Sequence, residues 1–186
     1  IDMGDHYLLN GTKNWITNGG TSKVHLVIAQ THKEKGHRGI NCLIVETDWA
    51  GVTIGAKEDK LGIRACDTHT IMYTDLEWPR ENRIGVDSFG FKFAMKTLSG
   101  GRIGIASQAL GIAAGAYELA VAYSKEREAF GKPISQHQAI AFKLADMATE
   151  IEAARLLCLK AAWNKDQHLP IGTSSAMAKL FASTAA

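Results

Sequence analysis

Two hydrophobic periods follow one another along the chain, and the change falls near residue 86. Before it, short apolar runs are separated by Gly, Asn and Asp. "HYLLN" and "TKNWITN" flank Asn10-Gly11; "VHLVIAQ", "INCLIVE" and "THTIMYTDLEW" follow, the last stopped by Pro79. Runs of this length between turn residues predict the strands of a small antiparallel β domain. Asn-Gly between two such runs predicts a tight hairpin. Alternation in the returning strand would put Trp15 and Thr17 on one face and Ile16 on the other.

Beyond "VDSFG" at 86–90 almost no strand pattern remains. Asp87 or Ser88 is placed to cap a helix start. The first helical segment runs over about 88–127, either continuous or broken near Gly100-Gly101. A second starts at Ser135, whose Gln138 completes a capping box, and continues to about 167. In it Ile140, Leu144, Met147, Ile151, Ala154, Cys158 and Ala161 keep helical spacing. A third starts near Thr173. Helices this long need neighbours on two sides, and both ends of the sequence look cut. Ile140, Leu144, Met147 and Ile151 are therefore expected to stay partly uncovered. The chain reads as α+β, with residues 1–86 a β domain and 87–186 a helical one.

Composition narrows the function mainly by exclusion. An apolar fraction of 46% is that of an ordinary globular protein, and the formal charge of +2 is dispersed. No polyanion, and so no nucleic acid, is expected as partner. The basic run "THKEKGHR", 31–38, lies between two apolar runs and reads as a solvated hairpin loop. Cys42, Cys66 and Cys158 are far apart, and no CxxC or HExxH pattern announces a metal or redox centre. The histidines are scattered singly and read as structural or surface residues. Gln108, Tyr117 and Glu118 interrupt the apolar run of the first helix, so a membrane span is not expected. Nothing near Ile1 has the pattern of a secretion signal.

Three stretches carry candidate chemistry. "KNWITNGG", 13–20, sets a large indole two residues from a hydroxyl. That pair fits either a core Trp beside a β-branched filler, or a flat ligand needing an aromatic wall and one hydrogen bond. On the first helix, Gly104, Gly111 and Gly115 share a face with Ser107, where close helix–helix contact is expected. Arg102, near that helix's start, wants an anion: a carboxylate of the fold, or a phosphate or carbonyl of a ligand. In "SKEREAFGKPISQHQ", 124–138, Arg127, Phe130, Gly131 and Pro133 form a tight turn. It is either a helical hairpin whose Phe plugs a gap, or a cation and an aromatic offered together to a nucleotide.

Taken together, "NGTKNWITNGG", "KEDKLGIRACDTHTIMYTDLEWPRENRIG" and the long stretch from "GFKFAMKTLSGGRIGIASQALGIAAGAYELA" through "FGKPISQHQAIAFKLADMATEIEAARLL" resemble the acyl-CoA dehydrogenase family. The likeness covers essentially the whole chain and is nearest to the short-chain, butyryl-CoA-type members. "GRIGIASQALGIA" and "FKLADMA" are its most specific pieces. The resemblance implies a middle antiparallel β domain, barrel- or sandwich-like, followed by part of an up-and-down four-helix bundle. It implies FAD, held by Trp15, Ile16 and Thr17, with Trp15 against the isoalloxazine and the Thr17 hydroxyl near N5. Arg127 and Phe130, with Gln138 on the next helix, would reach the FAD of a neighbouring subunit in a homotetramer built from dimers. Ser99, Gly100, Gly101 and Arg102 would contact acyl-CoA; many relatives have Asp where Ser99 stands, so one charge is missing there.

The chemistry implied is α,β-desaturation of a short-chain acyl thioester, with electrons passed to an electron-transferring flavoprotein. No catalytic base is assigned: Glu118, Glu126, Glu150 and Glu152 match no motif, and the family's catalytic glutamate is expected beyond Ala186. A non-catalytic assembly module on the same scaffold, or an oxygen-using oxidase, are the alternatives. Location would be cytoplasmic in a bacterium and the mitochondrial matrix in a eukaryote.

Overall fold

A computed structural model describes residues 1–186. The chain divides into two compact units, Ile1–Met95 and Lys96–Ala186. The first holds β1 (His6–Thr17), β2 (Val24–Gln30), β3 (Ile40–Glu46), β4 (Val52–Lys57) and β5 (Thr68–Pro79). All ladders are antiparallel, in two sheets of order β1-β5-β4 and β2-β3. The basic run between β2 and β3 is a loop containing a 3-10 turn, Lys33–Gly39.

Alternation decides what faces inward. On β2 the apolar side chain of Val27 is buried while Val24 and Leu26 are exposed. Tyr7, Leu43, Val45, Ile71, Tyr73, Leu76 and Trp78 complete the core, with Ile16 and Val52 packed against it. Burying a side chain of this size is worth about 1.5–3 kcal/mol. On β5 the buried positions slip from Ile71 and Tyr73 to Leu76 and Trp78. The slip comes from one extra residue in β5, where Leu9 pairs with Leu76 but Gly11 with Tyr73.

That same irregularity overturns the hairpin expected at Asn10-Gly11. β1 runs straight through it as one strand of 12 residues. The Asn10 side chain donates to Asp75 Oδ1 at 2.9 Å and accepts the Asp75 N–H at 2.9 Å. The local turn preference yields to a long-range partner: β5 offers β1 a ladder along its whole length, and Asn10 serves the bulge.

The second unit contains most of α1 (Gly90–Glu126), then α2 (Gln138–Asp166) and α3 (Gly172–Ala185). α1 is unbroken at Gly100-Gly101; flanking residues of good helix propensity carry the glycines through. The Asp87 carboxylate is engaged by Asn41 Nδ2 at 2.8 Å and by Arg83 at 3.2 Å. Ser135 does not cap α2. It lies in a 3-10 turn, Ile134–Gln136; His137 is the N-cap and makes no side-chain cap bond. Ala106, Ala154, Cys158, Ala161, Ala178 and Ala182 form the core of this unit. Small residues there let the helices approach closely.

The expected cover over Gly104, Gly111 and Gly115 is not supplied by this chain: a Cβ at any of them would meet no atom within 4 Å. Of the four residues expected to stay partly uncovered, Ile140, Leu144 and Met147 are half-buried and Ile151 is buried. Large apolar side chains are also exposed at Ile105, Ile112 and Leu119 on α1, and at Phe142, Leu156, Leu159 and Trp163 on α2.

Candidate functional site

In the β unit the segment of interest is the end of β1. Lys13 pairs with Ile71 but Ile16 with His69, so β1 carries one extra residue there, a bulge. Trp15 adopts φ 55° within it. A positive φ on a bulky aromatic residue costs on the order of 1–3 kcal/mol and persists only where the surroundings enforce it. The result is an indole that is 74% exposed beside an exposed Thr17, with Ile16 turned to the core between them. Thr17 also lines a cleft of about 360 Å³ between β1 and β2, with Ile16, His25, Val27 and Tyr73. Lys13 Nζ crosses from β1 to the Ile28 carbonyl at 2.7 Å.

The turn after Thr17 is held by Asp67, the residue before β5. Asn18 N–H donates to the Asp67 carbonyl at 2.9 Å. The Asp67 carboxylate accepts the Gly20 N–H and the Thr21 hydroxyl, each at 2.8 Å. The Gly20 N–H, followed by the Thr21 hydroxyl, keeps this carboxyl below the usual carboxylate range, against the opposing effect of burial. Sequence reading passed over Asp67 and His69 because they lie outside the aromatic-plus-hydroxyl pattern. The signal available was position: His69 pairs with Ile16, and Asp67 directly precedes Thr68, the partner of Thr17, which only the pairing register shows.

In the helical unit Arg127 and Phe130 lie in the connection between α1 and α2. Glu128–Ala129 (β6) and Lys132–Pro133 (β7) pair as a miniature hairpin. Phe130 and Gly131 form its two-residue turn with φ 54° and 78°, as a type I′ turn requires. Phe130 is 96% exposed, so it plugs no gap in this chain. Its ring meets His137 edge-on at 6.1 Å, and His137 Nε2 lies 3.0 Å from the Ala129 carbonyl. Arg127 and Gln138 are exposed on either side of this hairpin.

Ser99, Gly100, Gly101 and Arg102 lie near the other end of α1; Gly101 and Arg102 are exposed, Ser99 and Gly100 half-buried. At 1.5 Å per residue, about 40 Å of helix separates Arg102 from Arg127. The structure therefore does not bring these two sets together within one chain. Trp15, Ile16 and Thr17 are contiguous within the β unit.

Trp15 and Phe130 share a rare condition, being aromatic, strained and exposed. The acyl-CoA dehydrogenase middle-domain profile matches residues 2–76, and the C-terminal-domain profile of the same family matches residues 89–186. The chain belongs to the acyl-CoA dehydrogenase family. It is 50% identical over 185 residues to the mitochondrial short-chain specific acyl-CoA dehydrogenase of Rattus norvegicus, covering 100% of this chain and 45% of that protein. It superimposes on butyryl-CoA dehydrogenase from Megasphaera elsdenii with a TM-score of 0.94 at 49% identity, over 98% of this chain and 48% of that one. A chain in the structure reported for the electron transferring flavoprotein of Acidaminococcus fermentans matches with a TM-score of 0.94 at 50% identity, over 100% and 49%. The chain thus spans about half the length of the relatives it matches. By length and composition alone α1 is apolar enough to cross a membrane; these superpositions include it.

Proposed function

We propose that this chain is the middle and C-terminal-domain part of an FAD-dependent short-chain acyl-CoA dehydrogenase. The observation that carries the reading is Trp15, fixed outward at positive φ by a bulge, with the Thr17 hydroxyl two residues on. A flat apolar wall beside a hydrogen-bond donor suits the face and edge of an isoalloxazine, and strain of this kind clusters at ligand sites. Bound there, FAD would supply hydride acceptance for α,β-desaturation of an acyl thioester.

The chain's own residues bind and orient. Trp15 fixes the plane of the ring, Ile16 holds the segment by packing into the core behind it, and Thr17 offers its hydroxyl to the ring edge. Arg127 presents a guanidinium, and Phe130 an aromatic face, to the phosphate and ring systems of a nucleotide; Gln138 adds an amide. Their distance from Ser99–Arg102 along α1 supports a role toward a neighbouring subunit's FAD, in a homotetramer built from dimers. Ser99, Gly100, Gly101 and Arg102 would bind acyl-CoA, Arg102 as the cation. No glutamate of these 186 residues is assigned as the general base, and we expect them alone to be inactive. The match to a chain in the A. fermentans structure supports an electron-transferring flavoprotein as acceptor. Location would follow the organism, cytoplasm in a bacterium or mitochondrial matrix in a eukaryote.

The test is Thr17→Val in the flavin-loaded protein. Losing one hydrogen bond worth about 1–3 kcal/mol should slow reduction of the flavin by butyryl-CoA roughly five- to hundredfold. An unchanged rate rejects the placement of Thr17.

A further inference from the structure

The pair Asp67 and His69 has no part in the reading above, yet it sits directly behind the segment that reading depends on. Thr68 and His69 are the register partners of Thr17 and Ile16. His69 Nε2 lies 3.2 Å from Asp67 Oδ2, the oxygen that also accepts the Gly20 N–H. His69 Nδ1 lies 2.8 Å from the Gly55 carbonyl on β4. The Nδ1 contact is a hydrogen bond to a carbonyl, and the Nε2 contact is an ion pair with the carboxylate when the ring is doubly protonated. The ring also packs against the turn: a Cβ on Gly20 would come within 2.6 Å of His69 Nε2, and one on Gly19 within 3.1 Å of the His69 Cβ. Gly20 leaves room for this histidine, while at Gly19 the Ile16 carbonyl, at 3.0 Å, is the nearest obstacle.

We propose that Asp67 and His69 are positioning residues for Trp15–Thr17, and that the protonation of His69 sets how firmly the segment is held. This rests on the flavin reading of Trp15 and Thr17. With His69 charged, one imidazolium bridges β4 to Asp67, and Asp67 in turn clamps Gly20 and Thr21. With the proton lost, one ring nitrogen turns a lone pair toward an oxygen, and the clamp on the turn loosens. Ionisable groups on the neighbouring segments are Lys57, opposite His69 on β4, Glu58, whose N–H donates to the Thr68 carbonyl at 2.8 Å, and Lys60. Lys60 Nζ donates to the Cys66 carbonyl at 2.6 Å and to Thr68 Oγ1 at 2.9 Å. Cys66 Sγ lies 3.3 Å from Asn18 Oδ1.

Two measurements test this, one without flavin. Fluorotryptophan incorporated into the flavin-free protein gives a fluorine resonance for Trp15, assigned by its loss in Trp15→Phe. That resonance should move with pH in one step, and FAD dissociation, followed by flavin fluorescence, should weaken across the same step. His69→Gln should abolish both steps and weaken FAD about tenfold or more, the effect expected for a lost charge-assisted bond. His69→Arg offers donors to both acceptors at every pH, and should keep tight binding while losing the steps. It also guards against a variant that merely misfolds. Identical pH profiles in the native protein and His69→Gln overturn the proposal, as does His69→Arg binding no better than His69→Gln. If Trp15→Phe and Thr17→Val leave FAD affinity and the flavin spectrum unmoved, the flavin reading itself fails and takes this role with it.

Discussion

The indole N–H of Trp78 donates to the carbonyl oxygen of Ile44 at 2.8 Å, tying β5 of one sheet to β3 of the other. Trp78 is fully buried and stacks at a tilt on Tyr7, with ring centroids 5.2 Å apart. Trp78→Ala should cost the β unit about 3–5 kcal/mol, the range for an aromatic deleted from a core. Trp78→Phe should cost less but still about 1–3 kcal/mol, because the Ile44 carbonyl loses its partner. Urea midpoints of the two variants give the ordering; equal midpoints for Phe and the native residue would mean that the cross-sheet bond contributes nothing.

Arg127→Ala bears on assembly. If its guanidinium serves the FAD of a neighbouring subunit, cofactor retention in this variant should fall on dilution, since binding and association are then linked. Retention lowered equally at every protein concentration would place Arg127 in its own subunit's site.

Tyr73 gives the β unit an alkaline limit. Burial pushes its phenol up to about 12 from the ordinary 10.0. Between those values the unfolded chain gives up a proton that the folded one keeps. The contribution is therefore complete below pH 10 and is lost as pH rises toward 12, on the order of 2–3 kcal/mol. Tyr73→Phe should flatten the fall in urea stability between these pH values. A fall of the same size in Tyr73→Phe would assign it to other groups.

The three thiols should separate in reactivity. Burial pushes the Cys42 and Cys158 thiols up, and both side chains are inaccessible. Cys66 is half-buried, in the loop before β5. An aromatic disulfide reagent should label one equivalent promptly in native protein and three in denaturant, and Cys66→Ser should remove the prompt phase. Prompt labelling of Cys158 would mean that α2 and α3 separate readily.

The sequence by itself determined the division of the chain into strands and helices. Periods of two and of 3.6 are local properties, and the runs "VHLVIAQ" and "INCLIVE" pair over their full length as β2 and β3. It also carried the family, through motifs read in order along the chain, and it singled out Trp15 and Phe130 as unusual. Tertiary structure alone decided what surrounds them. Asn10-Gly11 has the composition of a hairpin, but its partner Asp75 is 65 residues away, and no local rule weighs that contact. Ser135 and Gln138 have the spacing of a capping box, yet the chain leaves the Phe130 hairpin through a 3-10 turn and starts its helix three residues later. The bulge that turns Trp15 outward, and the Asp67–His69 pair behind it, exist only because β1 and β5 pair in one register out of many. Register is set by which side chains fill the core they jointly bury, a sum over both strands that neither segment encodes alone.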